Sequence, residues 1–93
     1  MSGYCFNIEI TAYMIHKLHL RNTDLLVFAI LDYYTKKNGF CTHQPKLLAD
    51  MLGMNVTTVY KCIRNLHAIN HYIEIEKVIT SDGKTLMKIR TIV

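Results

Sequence analysis

Residues 47–66 read LLADMLGMNVTTVYKCIRNL, and the fold turns on how that stretch is divided. It is either one helix with a flaw at Gly53 or two helices joined at a corner. Glycine after a helical run is a natural stop. Asn55 is a natural cap, because its side-chain oxygen accepts from a free N–H of a new first turn. Only Met54 stands between them. Two helices with a tight corner therefore explain the stretch better.

The first of these helices spans about 45–52 and the second about 56–69. Pro45 suits the opening position of the first, where its missing N–H would be unpaired anyway. Gln44 is then an uncommon cap. Leu48, Leu52, Met54, Val59, Cys62, Ile63 and Leu66 fall inward, and Ala49 is small where the two helices approach. With Val59 at the centre of the buried side, Thr57, Lys61, Arg64 and Ala68 lie opposite, flanked by Thr58 and Asn65. That outward face has no carboxylate. None occurs between Asp50 and Glu74, an interval that carries Lys61, Arg64, His67 and His71. A helix of about 14 residues is about 20 Å long, suited to a groove about 12 Å wide.

Working outward, Phe6, Ile8 and Ile10 alternate with Asn7 and Glu9, which predicts a short extended piece at the N-terminus. Met14, Ile15 and Leu18 predict a short helix over about 11–18. Asn22 or Thr23 is expected to cap a helix over about 23–37, with Asp24 at the positive end of its dipole. It ends at Lys36, Lys37, Asn38 and Gly39, cations and then a glycine stop. Its middle, LLVFAILDYY, carries a single charge. Such a helix is either wrapped by other elements or presents a sticky face. Residues 40–42 leave room for no more than a short strand.

After the second corner helix, Asn70 is expected in the left-handed conformation that ends it. YIEIEKVI at 72–79 alternates, Asp82-Gly83 signals a hairpin turn, and LMKIRTIV at 86–93 alternates again. The fold class is therefore mainly α with a small antiparallel β-hairpin (α+β), a winged helix-turn-helix. It forms a single domain over 1–93, with the helix-turn-helix at about 45–69 and the wing hairpin at about 72–92.

Composition bounds the function classes. Ninety-three residues suit one small domain. The net charge of +4 and pI of about 9.1 favour an anionic partner. Three cysteines, an odd count without regular spacing, argue against a secreted disulfide scaffold and for a reducing, cytoplasmic setting. No basic start marks a signal peptide. The longest apolar run, LLVFAIL at 25–31, falls far short of the roughly 20 residues that span a bilayer. His16 with His19, and Cys41 with His43, are too few ligands for a zinc site without others brought to them. No nucleophile–base arrangement is indicated, so the expectation is a non-enzymatic protein without metal or cofactor.

LLADMLGMNVTTVYKCIRNL, followed by YIEI, a DG turn and a final strand, resembles the winged helix-turn-helix superfamily. The pattern Leu48-Ala49, Leu52-Gly53, Val59, Ile63 and Leu66 carries the likeness, which covers about residues 6–93. It looks most like the N-terminal DNA-binding domains of bacterial, phage and plasmid replication initiators and replisome organisers. Those open with a short extended segment and a helix before a long apolar helix, here FNIEITAYMIHKL and NTDLLVFAILDYYTK. Such domains usually place a glycine after the recognition helix. Here HAINHYIEI has Asn70 and His71 in that place and one extra residue.

The resemblance implies sequence-specific binding of double-stranded DNA, with the 56–69 helix in the major groove, in transcription regulation or replication initiation. Thr57, Lys61 and Arg64 are the central contacts, with Asn55, Thr58 and Asn65 beside them. Arg64, with its planar fork, is the better base reader, and Lys61 suits a base or a phosphate. Gln44 and Lys46, at the free N–H groups of the first corner helix, suit a phosphate. Lys84 at the wing tip suits a phosphate or the minor groove. The competing expectation is a protein-interaction or dimerisation module without DNA binding. A homodimer through the apolar helix containing Val27 and Leu31 suits that module, and is equally compatible with DNA binding by a dimer on half-sites about one helical turn apart.

Overall fold

Helix α2 (Asn22–Asn38) is buried continuously from Val27 to Asp32, so it has no solvent side across its middle. A computed structural model describes residues 8–93, and in it the other elements cover this helix. They are α1 (Ala12–His16), α3 (Pro45–Leu52), α4 (Val56–Arg64) and an antiparallel hairpin of β1 (Ile73–Ile79) and β2 (Thr85–Thr91). The fold is thus α+β, and α3, α4 and β2 all pack on α2. Of the expected extended piece at the N-terminus, Phe6 and Asn7 lie outside the described residues, and residues 8–10 form no strand.

Val27 and Leu31 are fully buried. They are core residues of this chain, so neither side chain is available to the expected homodimer contact. The apolar helix is wrapped, not sticky.

Phe28 meets the Tyr72 ring edge-on at 6.4 Å. The Tyr72 hydroxyl donates to the Leu18 carbonyl at 3.1 Å. One aromatic pair thus joins α2, the exit of α1 and the root of the hairpin. In α1, Met14 is buried while Ile15 faces solvent, so the inward pair is Met14 and Leu18.

The hairpin pairs Ile73 with Thr91 and Ile79 with Thr85. Alternation places Ile73, Ile75, Ile89 and Thr91 toward α2, and Glu74, Glu76, Lys88 and Arg90 outward. Cys41 makes one antiparallel bridge to the opposite edge of β2, through Cys41 N–H to Ile89 O at 2.7 Å and Ile89 N–H to Cys41 O at 2.9 Å. This bridge is all that forms of the short strand expected at 40–42. A polar seam then fastens β2 to α2. The Thr91 hydroxyl donates to Asp32 Oδ1 at 2.8 Å, and the Thr91 N–H donates to Thr35 Oγ1 at 3.1 Å. Lys36 reaches the other Asp32 oxygen at 3.0 Å.

Two helix ends differ from expectation. The cap position of α2 is Arg21, with no side-chain capping bond. Asn22 itself takes the left-handed region (φ 52°), which asparagine tolerates, and the Thr23 hydroxyl accepts from Cys62 Sγ at 3.4 Å. Both expected caps are engaged otherwise. At the far end, the corner's second helix is α-helical only to Arg64. Residues Asn65–Ile69 form a π turn, in which Asn70 N–H reaches the Asn65 carbonyl at 2.9 Å. The wider turn holds one residue more than an α turn would. It also rotates Ile69 outward, leaving it 71% exposed. Asn70 is right-handed (φ −86°), and the left-handed residue is His71 (φ 58°).

The polar seam has a measurable consequence. Thr91→Val strands the buried Asp32 oxygen and should cost about 1–3 kcal/mol in urea unfolding. Lys36→Ala removes only the exposed side of an ion pair and should cost less than about 1 kcal/mol. The buried thiols yield another. Burial pushes Cys41 upward and Cys62 up to about 11, the latter with Asp24 nearby. Stability from these thiols is complete below the ordinary value of 9.0 and is lost as pH rises through the folded-state values. Alkylation of Cys41 and Cys62 at pH 8, followed by peptide mapping, should therefore be slow in the folded protein and fast in denaturant.

Candidate nucleic-acid interface

The corner that aims α4 is built from backbone hydrogen bonds. Gly53 is left-handed (φ 67°, ψ 34°) and its N–H reaches back to the last turn of α3. Met54 N–H donates to the Ala49 carbonyl at 2.9 Å and Gly53 N–H to the Asp50 carbonyl at 3.4 Å. This is the paired arrangement of a Schellman stop. Asn55 is extended, and its Oδ1 accepts from Thr57 N–H at 2.8 Å, which starts α4. Both assignments made from Gly53 and Asn55 hold.

Val59, Cys62, Ile63 and Leu66 lock the inner side of α4 into the core. Thr57, Lys61 and Arg64 are all exposed on the outer side. The borders of that face are shifted from the expected ones. Thr58 and Asn65 are half-buried, whereas Tyr60 and His67 are exposed. At about 100° per residue, Tyr60 lies about 60° from Thr57 and about 40° from Arg64. The open surface is therefore centred between Thr57 and Arg64 and extends toward Tyr60, on the side away from Thr58. Asn55 is exposed, but its carbonyl oxygen serves as the cap, so only its amide N–H groups are left to donate.

Gln44 and Lys46 are exposed at the start of α3, and Gln44 makes no capping bond. Lys84 is exposed at the hairpin tip. There Thr80 N–H donates to the Lys84 carbonyl at 2.8 Å and Gly83 N–H to the Thr80 carbonyl at 2.9 Å. The loop is wider than a two-residue turn, and Gly83 takes its left-handed position (φ 85°). Asp82 sits within the loop. Its carboxyl is held below the usual range, first by the Thr80 hydroxyl and then by the Lys84 N–H. The tip thus carries one charge of each sign.

Lys77 was not singled out from sequence, because it sits in the same strand as two glutamates. It is exposed and stands opposite Met87, on the inner face of the hairpin where the strands outrun the core. Glu74 and Glu76 lie on the other face. Glu74 pairs with Arg90 and Glu76 stands opposite Lys88, whose ammonium rests 4.4 Å from the Phe40 ring centroid. The hairpin's glutamates and their partner cations therefore share one face, and Lys77 has no carboxylate on its own.

Surface recesses lie elsewhere. One of about 350 Å³ is on the outer hairpin face beside Phe40 and Lys88, and one of about 610 Å³ is beside Tyr33 and Lys36 of α2. Neither includes a residue of α4. Among the described residues, no three of His, Cys, Asp or Glu come together as metal ligands, and no helix is long and apolar enough to cross a membrane. Compared with models of known protein families and with curated proteins, the chain matches none.

The corner itself is testable. A Cβ at Gly53 would meet nothing within 4 Å, so substitution there costs only backbone strain. Gly53→Ala should lower stability by about 1–2 kcal/mol, and Gly53→Asn by less, as read from denaturant midpoints.

Proposed function

We propose that this chain is a winged-helix domain that binds double-stranded DNA by laying α4 in the major groove. It would serve in the control of transcription or the initiation of replication, and it would do no chemistry of its own. The single observation that carries this reading is the outer face of α4. A helix held on its inner side by three buried residues, Val59, Cys62 and Ile63, presents Thr57, Lys61 and Arg64 to solvent with no carboxylate among them. A convex, basic helix surface suits a groove of polyanion better than it suits a small ligand.

Each cation then has a role set by its chemistry. The Arg64 guanidinium donates as a fork to guanine O6 and N7. Lys61 meets a base edge or a phosphate. Gln44, Lys46 and the free N–H groups at the start of α3 receive a backbone phosphate. Lys77 and Lys84 carry the hairpin's share of positive charge along the duplex. Asn55, Thr58 and Asn65 contribute from the border of the face, the last two with only part of their surface available.

The test is affinity for duplex DNA across salt, followed by fluorescence anisotropy. About four phosphate contacts give a log–log slope near −3.6. Arg64→Ala should weaken the preferred sequence by about 1–3 kcal/mol and flatten the preference. Lys46→Ala should weaken all sequences alike and reduce the slope by about 1. Affinity that does not change with salt, or that survives both substitutions, would remove DNA as the ligand.

A further inference from the structure

We propose that Tyr60 is a sequence-reading residue of this face and that it recognises the C5-methyl group of thymine. The inference rests on the DNA-binding reading above and adds to it which base feature one residue detects.

Tyr60 is the one large aromatic side chain on α4, and it is 55% exposed. Every other bulky apolar residue of that helix, Val59 and Ile63 among them, is turned inward or half-buried. Among the described residues its ring joins no aromatic pair and no cation contact, and its hydroxyl has no hydrogen-bond partner. The core does not need it, and no neighbour positions it.

Its placement is nonetheless specific. Thr57 stands one turn before it and Arg64 one turn after it on the same open surface. Along the axis the ring lies between them, about 40° to one side of Arg64, so a duplex seated on both residues passes beside it. The major-groove floor offers donors and acceptors at every base pair but only one apolar feature, the thymine methyl. An exposed aromatic edge gains by removing that methyl from water, and gains nothing comparable over the amino group of cytosine. A tyrosine hydroxyl contacting phosphate is the sequence-blind alternative, and it makes a different prediction.

The experiment uses the whole chain and a duplex enriched by wild type from a random pool. Thymines in that duplex are replaced singly by deoxyuridine, which deletes only the methyl. One replacement should weaken wild type about fourfold, the scale of one buried methyl. Tyr60→Phe should show the same sensitivity. Tyr60→Ala should bind more weakly and be indifferent to that replacement. Because the side chain is exposed, all three proteins should share one melting temperature.

Equal sensitivity of wild type and Tyr60→Ala to every deoxyuridine would overturn the proposal. So would a Tyr60→Phe protein as weak as Tyr60→Ala on all sequences, which would assign the hydroxyl to a phosphate. If wild type enriches and binds no duplex, the DNA reading itself fails. That outcome is distinct from binding that persists without methyl sensitivity.

Discussion

A helix buried on every side must be covered on every side, and that constraint organises this molecule. Val27, Phe28, Ala29, Ile30 and Leu31 leave α2 no stripe to give to water. A single layer of helices covers one flank, so the remainder falls to a hairpin. Asp32 is the polar exception at the end of the run, and it is answered by the Thr91 hydroxyl and by Lys36. The sheet is thereby placed by side chains of α2 as well as by its own ladder. The surface proposed for DNA is the reverse of this cover. Once Val59, Cys62, Ile63 and Leu66 are committed to the core, Thr57, Lys61 and Arg64 have nowhere to go but outward.

The arrangement of charge follows the same division. A net charge of +4 is modest, and three of the seven carboxylates are engaged within the fold. Asp32 is buried in the seam, Glu74 pairs with Arg90, and Asp82 is tied into its own loop. Among the described residues, Lys61 and Arg64 form no ion pair. With no carboxylate between Asp50 and Glu74, positive charge is concentrated on α4, and local charge of this kind is what speeds encounter with a polyanion.

Much of this was legible in the residues. Gly53 and Asn55 announce the corner because one needs no Cβ and the other carries a capping oxygen, both local properties. The inner sides of α3, α4 and the hairpin follow from spacing alone. What was not legible depended on partners. LLVFAILDYY reads equally as a wrapped helix or a sticky one, and only the packing of α3, α4 and β2 on it decides that Val27 and Leu31 are sealed. Asn22 and Thr23 looked like caps, but one turns the backbone and the other accepts from Cys62. On α4 a helical wheel fixes angles but not which border neighbouring elements shade, so Thr58 and Asn65 were placed on a border that is half covered. Tyr60 is one of several tyrosines whose spacing reads as core or interface as readily as a stacking surface, and only the fold shows it exposed. Lys77 was hidden by the glutamates beside it, which alternation sends to the opposite face.

The π turn at Asn65–Ile69 has a consequence beyond its geometry. A regular helix transmits any change in length as a rotation of everything downstream. Here the surplus residue is confined to five positions, and Leu66 before it and Ile73 after it both remain in the core. The turn behaves as an expansion joint between α4 and the hairpin. Evolution can alter the number of residues on the presenting helix without re-registering the sheet, so the two parts are free to diverge at different rates.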